Sequence, residues 1–178
     1  MIGKRPINGF ISTKEAGWTP AMFPVLERLP DILARMRRDQ RTGFLFGPRL
    51  NPSKRMEHHD GVDLPCPPGT PIYSPWDGVV ERAWEDKDRG GLSLIICHSG
   101  VRVKSGYAHL SGLALGIIDG VAVARGQEVA LSGNSGMSRG PHLHFTIRIP
   151  MITDEWLKID PLPFLLRSSP EADGGGPC

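Results

Sequence analysis

Between residues 43 and 149 the chain is interrupted every few residues by Gly, Pro, Asp or Ser, and no helix-length periodic segment survives the interruptions. The stretches 70–74, 78–84, 92–98, 101–109, 128–131 and 143–149 are short and mostly rich in β-branched or aromatic residues. The 22 Gly and 17 Pro of the 178 residues supply the turns between them. Such a texture predicts an antiparallel, mainly β core, a barrel-like sheet or sandwich that protects its edges. Glycines in the segment 116–127 mark further turns, and Asp160-Pro161-Leu162-Pro163-Phe164-Leu165-Leu166 reads as a closing segment packed on that core.

The flanks differ from this core. Phe23, Leu26, Leu29, Ile32, Leu33 and Met36 recur at three- and four-residue steps, which predicts one kinked or two short helices in an N-terminal arm over 1–42. The basic run 35–41 reads as a solvated helix end. Residues 167–178 end in Gly-Gly-Gly-Pro-Cys and read as a disordered tail. The expected organisation is therefore an arm over 1–42, one domain over 43–166 and a tail over 167–178.

Composition excludes several function classes. The formal net charge of +2 is too small for a general nucleic-acid binder. No apolar run is long enough to span a membrane, and none follows Met1-Ile2-Gly3-Lys4-Arg5 as a signal peptide requires. The expectation is a monomer made in the cytoplasm. An extracellular target would then be reached after lysis, on a phage particle, or by a non-classical secretion route. Cys66, Cys97 and Cys178 are odd in number and irregularly spaced. That argues against a disulfide framework, and Cys66 and Cys97 read as small buried side chains.

Two histidine motifs carry the chemistry. One is His59-Asp60-Gly61-Val62-Asp63 and the other is Gly140-Pro141-His142-Leu143-His144-Phe145. Imidazole nitrogen and carboxylate oxygen are ligands that zinc accepts, and three protein ligands leave a fourth position open for reaction. His59, Asp63 and His144 are the candidate set, with His142 beside the metal. On a strand His142 and His144 share a face, so one can bind while the other stands off. Spacing alone leaves His58 in competition with His59. Gly61 reads as a turn residue that lets His59 and Asp63 converge. Neither motif contains a Glu to act as base, and Glu57 is the only one close by, so a neutral histidine is the expected base. His98, at the end of an apolar run, reads as a surface or structural histidine rather than a ligand, and His109, in Tyr107-Ala108-His109-Leu110, reads from its surroundings as a core residue.

The stretch from about Phe46 to Ile149 resembles the lysostaphin-like zinc metalloendopeptidases, the cell-wall endopeptidases of bacteria and phages. The resemblance rests on Phe46-Gly47-Pro48-Arg49, the His59–Asp63 motif, the segment 69–80, Tyr107-Ala108-His109-Leu110, Gly126-Gln127, Gly133-Asn134-Ser135-Gly136 and Gly140-Pro141-His142-Leu143-His144-Phe145, in the family's order. It implies one zinc ion held by His59, Asp63 and His144, and it selects His59 over His58. It implies His109 and His142 as a catalytic pair, an open groove across the sheet, and a peptidoglycan peptide as substrate. A cell-wall binding module without catalysis and a component of a phage particle are the rival expectations. The chain departs from the family at Ser135, where threonine is common, at Thr146, where an acidic residue is common, and at Cys97, where a polar residue is common.

Overall fold

The computed structural model describes residues 44–50, 55–153 and 155–166. The arm expected over 1–42 and the tail expected over 167–178 lie outside the described residues. The strands are β1 (Gly47–Leu50), β2 (Met56–His59), β3 (Val62–Pro65), β4 (Pro71–Tyr73), β5 (Gly78–Asp86), β6 (Gly91–His98), β7 (Val103–Leu113), β8 (Ala122–Val123), β9 (Glu128–Ser132), β10 (His142–Pro150) and β11 (Trp156–Ile159), followed by the short helix α1 (Leu162–Leu166).

Nine strands form one antiparallel sheet in the order β11-β10-β7-β6-β5-β8. The sheet stays open rather than closing into a barrel. Strand β3 pairs with the first half of β10, β9 with the far end of β7, and β4 with β9. A separate hairpin, β1-β2, stands at one side. The six segments expected from patterning all form strands. The missed strands β1, β2, β3, β8 and β11 are at most four residues long, too short for alternation to register.

Alternation along β10 separates the two faces of the sheet. Leu143, Phe145 and Ile147 are fully buried on one side. There they join Ile72, Leu94, Ile96, Tyr107 and Val129 in the hydrophobic core. Leu165 of α1 is buried in the same core, so the closing segment packs as expected. The other side of β10 presents His142, His144, Thr146 and Arg148 to a groove of about 1560 Å³. Cys66 belongs to the core and Cys97 is half-buried.

Candidate metal centre

Sheet register brings the two histidine motifs together. Asp63 on β3 sits directly opposite His144 on β10, and Ala108 of β7 flanks His144 on its other side. His59 ends β2 and is buried. His59 Nε2, Asp63 Oδ1 and His144 Nδ1 lie 2.8–3.1 Å from one another. Among the described residues these are the three whose ligand atoms gather tightly enough to hold one metal ion. His58, one residue earlier, is exposed and rests edge-on against Phe46. Gly61 has no positive φ, so it is not needed for an unusual turn. Its role is clearance: a Cβ there would come within 2.8 Å of His144 Cε1 and 2.5 Å of the Phe145 carbonyl oxygen.

A β-bulge places the fourth histidine. Between the pairs Leu92↔Leu110 and Leu94↔Tyr107, two residues of β7, Ala108 and His109, face the single Ser93 of β6. His109 takes up the extra residue in the left-handed region, with φ 61°. A non-glycine residue there is uncommon, though His is among the types that tolerate it. Backbone strain of this kind gathers at functional sites. The bulge turns the His109 ring to 4.6 Å from that of His142 and 6.1 Å from that of His144, centroid to centroid. His109 is thus not a core histidine, as its local sequence suggested, but half-exposed at the groove beside the ligand set.

Each ring has one nitrogen committed to an outer acceptor. His59 Nδ1–H donates to the Leu45 carbonyl at 2.7 Å, His109 Nδ1–H to the Ser135 carbonyl at 2.8 Å, and His142 Nδ1–H to the Gly140 carbonyl at 2.8 Å. Reversed, His144 donates from Nε2 to Asp60 Oδ1 at 3.2 Å. These bonds fix the tautomers. His59 is left with Nε2, and His144 with Nδ1, as a free lone pair at the ligand cluster. His109 and His142 are left with Nε2 unprotonated, and His142 Nε2 lies 3.5 Å from Asp63 Oδ1. Ser135 holds its carbonyl in place because its hydroxyl accepts from Leu92 N–H at 3.0 Å and donates to the Leu110 carbonyl at 2.7 Å. A serine therefore serves where threonine is common.

Charged neighbours complete the centre. Arg49 Nη1 contacts Asp63 Oδ2 at 3.1 Å, so Oδ1 alone faces the cluster, and Lys158 pairs with Asp60. Burial favours the neutral acid at Asp63, but wherever the surrounding imidazoles of His142, His144 and His59 take up protons in the absence of a metal, their hydrogen bonds outweigh it and hold the carboxyl far below the usual range. The His144 bond holds Asp60 down likewise, with Lys158 helping. Burial opposes charge on His144, yet the two aspartates raise its pKa, so a proton competes with a cation for Nδ1. Burial lowers the pKa of His109 and favours its neutral form. Sequence reasoning missed Asp60, Lys158 and the three carbonyls. The one available signal was the carboxylate next to His59, which reads as half of an Asp-Gly turn.

The residues fit a zinc ion. Two imidazole nitrogens and one carboxylate oxygen are the donor set of an open, catalytic zinc site. Their mutual spacing approaches the edge of a tetrahedron with bonds of 2.0–2.1 Å, about 3.3–3.4 Å. Each ligand also has the outer partner that such sites use to orient it.

Comparison with known proteins follows the same line. Residues 57–161 match the model of "Peptidase family M23". Over 104 residues the chain is 40% identical to the peptidoglycan DD-endopeptidase ShyA of Vibrio cholerae, a match covering 57% of this chain and 23% of that protein. A zinc-containing peptidase from Vibrio cholerae is similar in structure, with TM-score 0.54 and 34% identity over 64% of this chain and 34% of that one. The catalytic domain of the antimicrobial peptidase lysostaphin from Staphylococcus simulans gives TM-score 0.59 and 28% identity over 70% of this chain and 90% of that domain. The chain spans about a quarter of the length of the curated relatives it matches.

Proposed function

The chain belongs to peptidase family M23, and from that premise we propose that it is a zinc-dependent endopeptidase acting on peptide bonds of bacterial peptidoglycan. The observation that carries the reading is the tautomer pattern: five side chains converge, three with ligand atoms aimed inward and two with free imidazole Nε2 atoms beside them. A non-catalytic wall-binding module has no use for the last two.

In this reading His59 Nε2, Asp63 Oδ1 and His144 Nδ1 hold the zinc. When bound, zinc supplies a Lewis acid that polarises a carbonyl and makes a water a better nucleophile near neutral pH. His109 and His142 both arrive as proton acceptors, because their Nδ1–H groups are committed to the carbonyls of Ser135 and Gly140. One of them takes the proton from the attacking water as its oxygen bonds to the scissile carbon. The resulting imidazolium returns that proton to the amine as the C–N bond breaks. Before the water gives up its proton neither Nε2 has a hydrogen to offer an oxyanion, so both histidines begin as bases.

The substrate class is supported by the relatives whose names give peptidoglycan as their target. The finer reading is a bacteriolytic lysin of phage or bacterial origin that acts on the exposed wall, supported by the likeness to the antimicrobial lysostaphin domain. Mass spectrometry of a defined peptidoglycan digest, with and without chelator, tests the activity and names the bond. Chelator-sensitive release of new amino termini is the expected result. A zinc-loaded protein that binds the wall and leaves every peptide bond intact would establish the non-catalytic module instead. Clearing of an intact cell suspension tests the lysin reading.

A further inference from the structure

The groove does not end at the metal. Along β10 the same face continues from His144 to Thr146 and Arg148, and both line the groove. Thr146 is only 5% exposed, yet its Oγ1 is a buried polar atom without a hydrogen-bond partner. Arg148 Nε is buried and equally without a partner. Buried polar groups in native proteins are paired in the great majority of cases, and each exception requires an explanation. Two on one strand face, in one groove, share an explanation if a ligand supplies their partners.

Gly106 of β7 lies directly across from Thr146, and any Cβ there would collide with Thr146 Oγ1. The glycine therefore makes room for the Thr146 side chain on the groove face, where its hydroxyl stays unpaired.

Charge identifies the ligand. Lys104 and Lys158 are the two cross-strand neighbours of Arg148, so three cations stand side by side across the sheet. Lys158 is neutralised by Asp60, and Lys104 by Glu81 while it stacks over Trp156. Among the described residues Arg148 makes no ion pair. A planar guanidinium in that setting matches a carboxylate, which takes two parallel hydrogen bonds from it.

We propose that Gly106, Thr146 and Arg148 form a subsite that binds a free carboxylate on the substrate peptide. Arg148 is four residues from His144, about 13 Å along a strand. Allowing for the reach of its side chain, the carboxylate belongs roughly two to four residues from the scissile bond in an extended substrate. The inference rests on the endopeptidase reading and sharpens it: the substrate is an acidic peptide, selected at a distance from the bond that is cut.

The test uses pairs of defined stem peptides that differ only in a carboxylate or a carboxamide at that position. KM and kcat are measured for the zinc-loaded protein and for Arg148→Gln, Arg148→Lys and Thr146→Val, with zinc content and thermal melting as checks on folding. The wild type is expected to show a KM about ten- to a hundredfold lower for the carboxylate, the scale of a charge-assisted hydrogen bond. Arg148→Gln is expected to bring the two KM values together, Arg148→Lys to restore part of the gap, and Thr146→Val to narrow it. Equal KM values in the wild type, or a gap that survives Arg148→Gln, would overturn the subsite while leaving the hydrolase intact. If no peptide is cut, the hydrolase reading fails, and calorimetric binding of the same pairs decides the subsite: a carboxylate preference removed by Arg148→Gln supports it, and equal or absent binding refutes it.

Discussion

Gly61→Ala adds one methyl group in the least forgiving place of the centre. Its Cβ would lie 2.5 Å from the Phe145 carbonyl oxygen and 2.8 Å from both His144 Cε1 and Thr146 Cγ2. Restoring ordinary contact at about 3.4–3.5 Å requires movements of roughly 0.6–1 Å. The obstacle includes backbone that pairs with both β3 and β7, so it cannot swing aside as a surface side chain does. Overpacking of this kind costs about 1–3 kcal/mol of stability. The displaced residue is also a proposed metal ligand, and ligand distances tolerate only about ±0.2 Å. Zinc affinity should therefore fall at least about tenfold, the equivalent of about 1.4 kcal/mol. Denaturant unfolding of the metal-free protein and zinc competition against a chromogenic chelator measure the two effects separately. The sign is decisive because Gly61 has no positive φ. If the glycine were kept for turn flexibility alone, alanine would stabilise the fold by about 0.4–1 kcal/mol through the unfolded state. A variant as stable as wild type or more so, with unchanged zinc affinity, refutes the clearance argument.

Three further perturbations probe the same centre and the core behind it. His144→Ala should abolish zinc retention, whereas His142→Ala should retain zinc by metal analysis and lose about 10²–10⁴-fold in rate; an empty site in His142→Ala would reverse the assignment of the two histidines. Asp60→Ala should weaken zinc binding by about 10–100-fold, the usual effect of removing an outer-shell partner, and Asp60→Asn, which keeps an acceptor for His144 Nε2, should lose less; unchanged affinity in Asp60→Ala would remove Asp60 from the centre. His98 is fully buried between the Asp77 carbonyl and the Ser105 hydroxyl, and burial pushes its pKa from 6.5 down to about 4. The fold holds it neutral, so its contribution is complete above pH 6.5 and drains away as pH falls towards 4, about 3 kcal/mol in all. The pH dependence of metal-free unfolding, wild type against His98→Asn, measures this term, and identical acid slopes would exclude it.

Much of this molecule is legible in its sequence because its physics is local. Residues 92–98 and 143–149 are long enough for composition to declare strands, and the alternation of His142, Leu143, His144 and Phe145 already separates a groove face from a core face. The short strands escape because β2 and β3 are held by their partners, the β1 hairpin and β10, and not by their own propensity. The two readings of histidine surroundings diverge for a similar reason. His98 is structural as its position at the end of an apolar run suggests. His109 sits in an equally apolar context, and only the bulge opposite Ser93 turns it out of the core. A bulge is a fact about two strands, so one strand's residues do not announce it.

The same distinction explains why the ligands were visible and their outer partners were not. A metal ligand must be a particular side-chain type, so the proposed ligands His59, Asp63 and His144 leave a trace in the sequence. The groups that set their tautomers are mostly backbone carbonyls, those of Leu45, Ser135 and Gly140, and a carbonyl belongs to every residue alike. What selects the last two is loop geometry: the Ser135 hydroxyl bonded to both β6 and β7, and Ser138 Oγ bonded to the Gly140 carbonyl. Those hydroxyls are the residues a sequence reader would dismiss as turn formers. Substitutions at Ser135 or Ser138 should therefore act on the chemistry without touching the metal. Ser135→Ala should loosen the carbonyl that holds His109 and lower kcat while zinc content stays at one per chain. A Ser135→Ala protein with full kcat would show that the His109 tautomer needs no help from that loop.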